Sequence, residues 1–181
     1  MTTLVAYASR YGATQGIAER IAERLVLSGH PAQARPVNAA GDLLVYDAFV
    51  VGSAAYMGSW LKEATEFMRS NRVMLATRPV WVFSSGPLGT ASKDAEGRDV
   101  LATSEPREFS EFRDTIKPRT ARVFFGALNP SKLGLSHRTF RRIPAGRRLL
   151  PEGDFRDWTV VDAWADSIAL ELERVTVPTG G

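Results

Sequence analysis

The chain has 181 residues, 44% apolar, 24% charged and 9% aromatic, which is the length and composition of one ordinary globular domain. It has no cysteine and only two distant histidines, His30 and His137, which excludes disulfides, thiolate zinc, cysteine-ligated clusters and thiol nucleophiles and argues against a histidine-rich metal site. The net charge of +3 is unevenly placed: nine of the 23 basic residues lie between Thr115 and Pro151 with no acidic residue among them, leaving 14 basic against 20 acidic elsewhere.

Thr3–Ala8 (TLVAYA) is a short apolar run ending in a Ser/Gly/Thr cluster, which predicts a buried strand. Behind it Ile17, Ile21 and Leu25 recur every four residues beside Ala18 and Ala22, with charged residues between them. That is an amphipathic helix, and Gly29 is placed to stop it. Gln33–Val37 reads as a second short strand and Ala48–Gly52 (AFVVG) as a stronger third. Leu61, Ala64, Thr65 and Met68 carry a helical stripe, and Val80–Ser84 (VWVFS) is another apolar strand. Pro87–Pro118 contains a helix with Phe109, Phe112 and Ile116 on one face, followed by a strand at Ala121–Phe125 (ARVFF). Val161, Trp164, Ala165, Ile168 and Leu172 mark a terminal helix, with Asp157 as its N-cap.

Strands apolar throughout, alternating with helices, imply an α/β fold with a parallel sheet covered on both faces. A doubly wound sheet of about five strands is the economical solution. The expected organisation is a single domain over residues 1–175, with a basic insertion at about 127–156 and a flexible tail at 176–181. Loops longer than roughly 15 residues are usually functional or mobile, so the insertion is of interest in itself.

Ligands of such sheets bind beyond the carboxyl ends of the strands. The first loop there is Ser9-Arg10-Tyr11-Gly12-Ala13-Thr14, running straight into a helix. Its hydroxyls, its glycine and the free amides of a helix start suit a phosphate. The second loop is Gly52-Ser53-Ala54-Ala55-Tyr56-Met57-Gly58-Ser59-Trp60, where small residues admit a flat ring and Tyr56 stacks on it. Trp60, on the first turn of the next helix, reads as core. The third loop is Ser84-Ser85-Gly86-Pro87-Leu88-Gly89, again small and hydroxylated. Competing motifs are absent: no Gly-x-Gly-x-x-Gly, no Gly-Lys-Ser/Thr, no acidic residues closing the first strand, and no cysteine.

These residues resemble the flavodoxin family. Its Ser/Thr-x-x-Gly-x-Thr phosphate loop is matched by SRYGAT at Ser9, Gly12 and Thr14, and its two ring-flanking loops by GSAAYMG and SSGPLG. The resemblance covers Thr3–Glu173 and implies a flavodoxin-like sheet of order 2-1-3-4-5 with FMN as cofactor. A deazaflavin would answer to the same loops and stays open. Within the family the chain is most similar to the menaquinone-dependent protoporphyrinogen oxidase group, through Arg122-Val-Phe-Phe-Gly-Ala-Leu, the basic insertion and Asp154-Phe-Arg-Asp-Trp158. It departs from that group at Tyr56-Met57 and at Ser85-Gly86-Pro87.

With no thiol or metal site, redox chemistry falls to the flavin. The resemblance implies an oxidoreductase moving electrons between an organic substrate, a porphyrinogen among the options, and a quinone-type acceptor. The alternative is a soluble electron carrier with no substrate of its own. The Asp94–Asp99 stretch, expected to be mobile, and the insertion are the candidates to border an open substrate face; no catalytic residue is assigned. Arg138, Arg141, Arg142, Arg147 and Arg148, interleaved with Leu135, Phe140, Ile143, Leu149 and Leu150, suit peripheral contact with an anionic membrane. Nucleic acid is disfavoured, because Phe140 is the single aromatic within the arginine cluster. The opening MTTLVAYASRYG has no basic segment and only the apolar run Leu4–Ala8, and no stretch approaches the roughly 18 apolar residues that span a bilayer. The expected location is cytoplasmic, with contact at the inner membrane face; the oligomeric state is open, a homodimer included.

Overall fold

A computed structural model describes residues 1–129, 131 and 152–176. The chain begins β1 (Thr3–Ala8), α1 (Ala13–Leu27), β2 (Ala32–Pro36), β3 (Ala48–Tyr56) and β4 (Ser59–Trp60). It continues α2 (Lys62–Ser70), α3 (Arg72–Leu75), β5 (Val80–Ser85), α4 (Val100–Thr103), α5 (Glu108–Thr115) and β6 (Ala121–Phe124). It closes β7 (Ala127–Leu128), β8 (Gly153–Asp154) and α6 (Trp158–Thr176). Five parallel strands stand in the order β2-β1-β3-β5-β6. Counting those five alone, this is the doubly wound order 2-1-3-4-5 expected from the sequence.

Alternation within the strands divides the core between the two faces. Leu4, Phe49, Val51 and Val82 point to one face, where they meet Met68, Leu75, Phe109 and Phe112. Val5, Val50, Trp81 and Phe83 point to the other, under Ile17, Ile21 and Leu25 of α1 and Trp164, Ile168 and Leu172 of α6. Each of these large side chains is buried, and each contributes about 1.5–3 kcal/mol relative to exposure. The expected stops and caps are in place. Gly29 takes a left-handed φ of 86° after α1. Asp157 accepts from the amides of Thr159 (3.0 Å) and Val160 (3.2 Å) ahead of α6.

Outside the apolar contact, α1 and α6 are held by two parallel ion pairs. Arg20 reaches Asp162 through Nε and Nη2, both at 2.7 Å, and Arg24 reaches Asp166 at 2.6 Å. Hydrogen bonding from Arg20 holds the Asp162 carboxyl below the usual carboxylate range. Arg119, within the basic block, is also used structurally: it lies 5.5 Å from the Trp81 ring centroid and 3.2 Å from Glu171. Lys132 and Arg138–Arg148 lie outside the described residues.

Gly52 makes the face beneath α6 fit. It is the cross-strand partner of Phe83, whose ring packs 6.0 Å from both Phe124 and Trp164. A Cβ on Gly52 would stand 2.0 Å from the Phe83 ring. The expected outcome for Gly52→Ala is a loss of about 3 kcal/mol or more through overpacking, read as a lowered urea midpoint. Asp162→Asn makes a different prediction. A depressed carboxyl contributes stability above its unfolded value and loses it as the pH falls through the folded one. The variant should therefore be less stable than wild type at pH 7, and the two should converge as the pH falls below about 4. A gap that stays constant down to acid pH would show that the Arg20 pair adds nothing.

Candidate functional site

The carboxyl edge of the sheet is where polarity begins. β1 and β5 are buried up to Ala8 and Ser85, and the chain turns from there into loops of small residues. Gly12 adopts a φ of 92° at the start of α1, and its amide donates to Ser9 Oγ at 3.0 Å, drawing the first loop into a cradle. The amides of the first helical turn, Ala13 to Gln15, have no carbonyl to meet within α1 and face an incoming acceptor. Thr14 is fully buried, and its hydroxyl bonds that of Ser85 at 2.7 Å. One hydrogen bond uses one of the two hydroxyl hydrogens, so the pair keeps a donor to offer a ligand.

Between these loops stands the end of β3, which corrects the sequence reading. Residues 52–60 are not an open loop. β3 runs on to Tyr56 and turns through Met57 and Gly58 into β4, pairing Ala55 with Trp60 and Tyr56 with Ser59. Both turn residues have positive φ, 52° at Met57 and 75° at Gly58, as a two-residue hairpin with the twist of its strands requires. Arg107 braces the turn, its amide donating to the Gly58 carbonyl (3.0 Å) and its Nη2 to that of Met57 (3.3 Å). Trp60 is core, as expected, but from β4 and not from a helix. It packs 5.4 Å from Phe109 and 5.2 Å from Phe112.

One cleft of about 630 Å³ of empty space, open at one side, gathers the three loops. The first supplies Ser9, Arg10, Tyr11, Ala13 and Thr14; β3 supplies Ala54, Ala55 and Tyr56; the third loop supplies Ser85, Gly86 and Leu88. Gly126, Ala127 and Leu128 form a further wall that the sequence reading did not include. Burial pushes the Tyr56 phenol up to about 12, with Tyr11 adding to the shift and Arg10 opposing it. The Arg10 guanidinium lies 5.2 Å from the Tyr56 ring centroid, bridging the first loop and the hairpin.

Six candidates lie apart from this cleft. Met57 projects into solvent, 95% exposed, and Gly58 only shapes the turn. Ser84 is buried, its hydroxyl donating to the Ser53 carbonyl at 3.4 Å. The Pro87 carbonyl accepts from Gly126 N (2.9 Å), supporting the added wall, and a Cβ on Gly89 would meet nothing within 4 Å. Gly12 faces an adjoining chamber of about 770 Å³, lined also by Asn129, Glu152, Asp154 and Arg156. The Asp94–Asp99 stretch is a tied turn, in which the Asp94 carboxylate accepts from the amides of Glu96 and Arg98 and from the Arg98 guanidinium. None of its residues lines either space.

Arg156 is the residue that sequence reasoning missed. It donates to the Ala13 carbonyl at 3.3 Å, pairs with Asp154 at 2.6 Å and lies 4.4 Å from the Trp158 ring centroid. The approach to α6 is thereby fastened to the first loop at the start of α1.

A family model described as a flavodoxin domain matches residues 4–144. The chain belongs to the flavodoxin domain family. Flavodoxins are themselves a standard example of the rule that places ligands at the switch between the first and third strands. No curated protein matches this flavodoxin-domain chain significantly. Among solved structures it is similar to the rubredoxin oxygen:oxidoreductase of Desulfovibrio gigas, with TM-score 0.61 and 12% identity over 97% of the chain. It spans only 37% of that protein's length. It is also similar to a mutant flavodoxin from Pseudomonas aeruginosa (0.59, 18% identity, 96% of this chain and 99% of that one). Flavodoxin 2 from Bacillus cereus gives 0.59 at 22% identity, with the same coverage. At these identities the likeness concerns the fold alone.

Gly16 lies inside α1, where glycine costs roughly 0.5–1 kcal/mol relative to alanine. A Cβ there would stand 2.5 Å from Arg156 Nη1. In the wild-type background Gly16→Ala should therefore bring no gain in stability, because it pushes Arg156 off the Ala13 carbonyl. In an Arg156→Ala background the same change should stabilise by about 0.5–1 kcal/mol. Equal effects in both backgrounds, measured by urea unfolding, would refute the fastening.

Proposed function

We propose that the first cleft binds FMN and that the protein is an FMN-dependent oxidoreductase, moving electrons between an organic substrate and a quinone-type acceptor in the manner of menaquinone-dependent protoporphyrinogen oxidases. The observation that carries the reading is the Thr14–Ser85 hydroxyl bridge of 2.7 Å. It ties the phosphate-type loop to the third loop across the end of β3, so that three loops far apart in sequence wall one cleft.

FMN supplies the redox chemistry when bound, its ring taking up two electrons with a proton and passing them on. This chain's residues have narrower tasks. Ser9, the first-turn amides of α1 and the Thr14–Ser85 pair hold the phosphate. Ala54, Ala55 and Gly86 have no side chain large enough to keep a flat ring away. Tyr56 stacks on that ring as a neutral phenol at physiological pH. Leu88 and Leu128 supply apolar wall and exclude water. Among the described residues, no helix is long and apolar enough to cross a membrane.

The purified protein should show flavin absorption and release a compound of FMN mass. Thr14→Val and Ser9→Ala should each weaken FMN by tenfold to a hundredfold, since a hydrogen bond to a charged group contributes roughly 1.5–3 kcal/mol. Riboflavin, which lacks the phosphate, should lose much less. Equal losses for the two ligands would place the phosphate elsewhere. Turnover of an organic donor with a quinone analogue separates an oxidoreductase from a carrier, which would show neither half of the reaction on its own.

A further inference from the structure

Among the described residues, the lining of the cleft carries a single formal charge. Of its fourteen lining residues Arg10 alone is ionised at neutral pH, and no carboxylate is among them. Its guanidinium is held 5.2 Å from the Tyr56 ring centroid, inside the reach of a ring seated in the same cleft. Charged groups of both signs stand on the neighbouring elements. Asp154, in the adjoining chamber with Glu152, is engaged by Arg156 at 2.6 Å. On the hairpin side Arg107 adds a second cation, and Glu108 accepts from the Trp60 amide at 3.2 Å.

We infer that Arg10 sets the redox bias of this site, raising the reduction potential of the bound flavin by holding its reduced form more tightly than its oxidised form. The inference rests on the FMN reading and deepens it. The oxidised ring is neutral. Uptake of two electrons and one proton leaves it with one negative charge, and a solvent-exposed cation at the wall of the same cleft favours that product. At the effective dielectric of a protein surface, a charge pair separated by about 6–10 Å shifts an equilibrium by roughly tenfold to a hundredfold. A flavin biased this way takes electrons from an organic donor, whereas an acidic cleft would make it a stronger reductant. Arg10 thus favours the oxidoreductase over the carrier.

The alternative role for Arg10 is to pair with the phosphate, which carries the same charge in both redox states. The two roles separate in a spectroelectrochemical titration of the FMN-loaded full chain. Arg10→Gln should weaken reduced FMN about tenfold to a hundredfold more than oxidised FMN, which lowers the two-electron midpoint by about 30–60 mV. Arg10→Lys, which keeps the charge, should retain most of the wild-type potential. Equal weakening of both redox forms, with the midpoint unchanged, would overturn the inference while leaving FMN binding intact. Failure of the wild-type chain to bind FMN would overturn both. A measurement without flavin guards against a variant that loses FMN altogether. The Tyr56 phenol should ionise later in Arg10→Gln than in wild type, because the cation opposes the upward shift caused by burial. A phenol that does not move would show that the charge of Arg10 does not act within the cleft, and the inference would fall.

Discussion

In a parallel sheet covered by helices on both faces a buried polar side chain costs free energy unless it is partnered, and that cost orders this molecule. β1 opens on the buried Thr3, whose hydroxyl has no partner among the described residues, but otherwise β1, β3 and β5 remain apolar until they approach the carboxyl edge, where Ser53, Ser84 and Ser85 enter while still buried. These three hydroxyls are all partnered, by the backbone or by another hydroxyl. Ser53 Oγ accepts from the Leu61 amide at 3.1 Å, Ser84 donates to the Ser53 carbonyl, and Ser85 meets Thr14. Satisfying buried polar groups at the edge of the sheet is therefore what draws the loops together into a cleft.

The same constraint explains what was legible in the amino-acid sequence. Strands buried on both faces read as unbroken apolar runs, so β1, β5 and most of β3 were evident, and the positions of the helices followed from the four-residue recurrence of Ile17, Ile21 and Leu25. The phosphate-type loop was legible because small and hydroxylated residues follow an apolar strand directly. The pairing of Gly52 with Phe83 was not. It joins positions 31 residues apart through strand register, and neither residue signals the other locally.

What escaped sequence reading was set by tertiary contact against local preference. The hairpin turn places Met57 at a φ of 52°, a conformation a methionine rarely adopts, so nothing marked the turn except Gly58. β7 and β8 are two residues each, too short to show any period, and become strands by pairing with one another. Arg156 lies 143 residues from the carbonyl it holds. One signal for it was available: a glycine inside an otherwise regular amphipathic helix marks close approach of another group, and Gly16 is that glycine.

The pairing of Leu128 with Gly153 has a consequence for how this chain could have changed over time. Strands joined by a ladder keep their α-carbons about 4.5–5.5 Å apart, so the chain enters and leaves the segment between them at nearly one point. A segment attached in this way resembles a graft: its length can vary at small entropic cost without rerouting the sheet or the helices. Leu128, at the point of attachment, is also part of the cleft wall. A lineage could therefore exchange the inserted segment wholesale, and with it the surroundings of the cleft, while leaving the inherited scaffold alone.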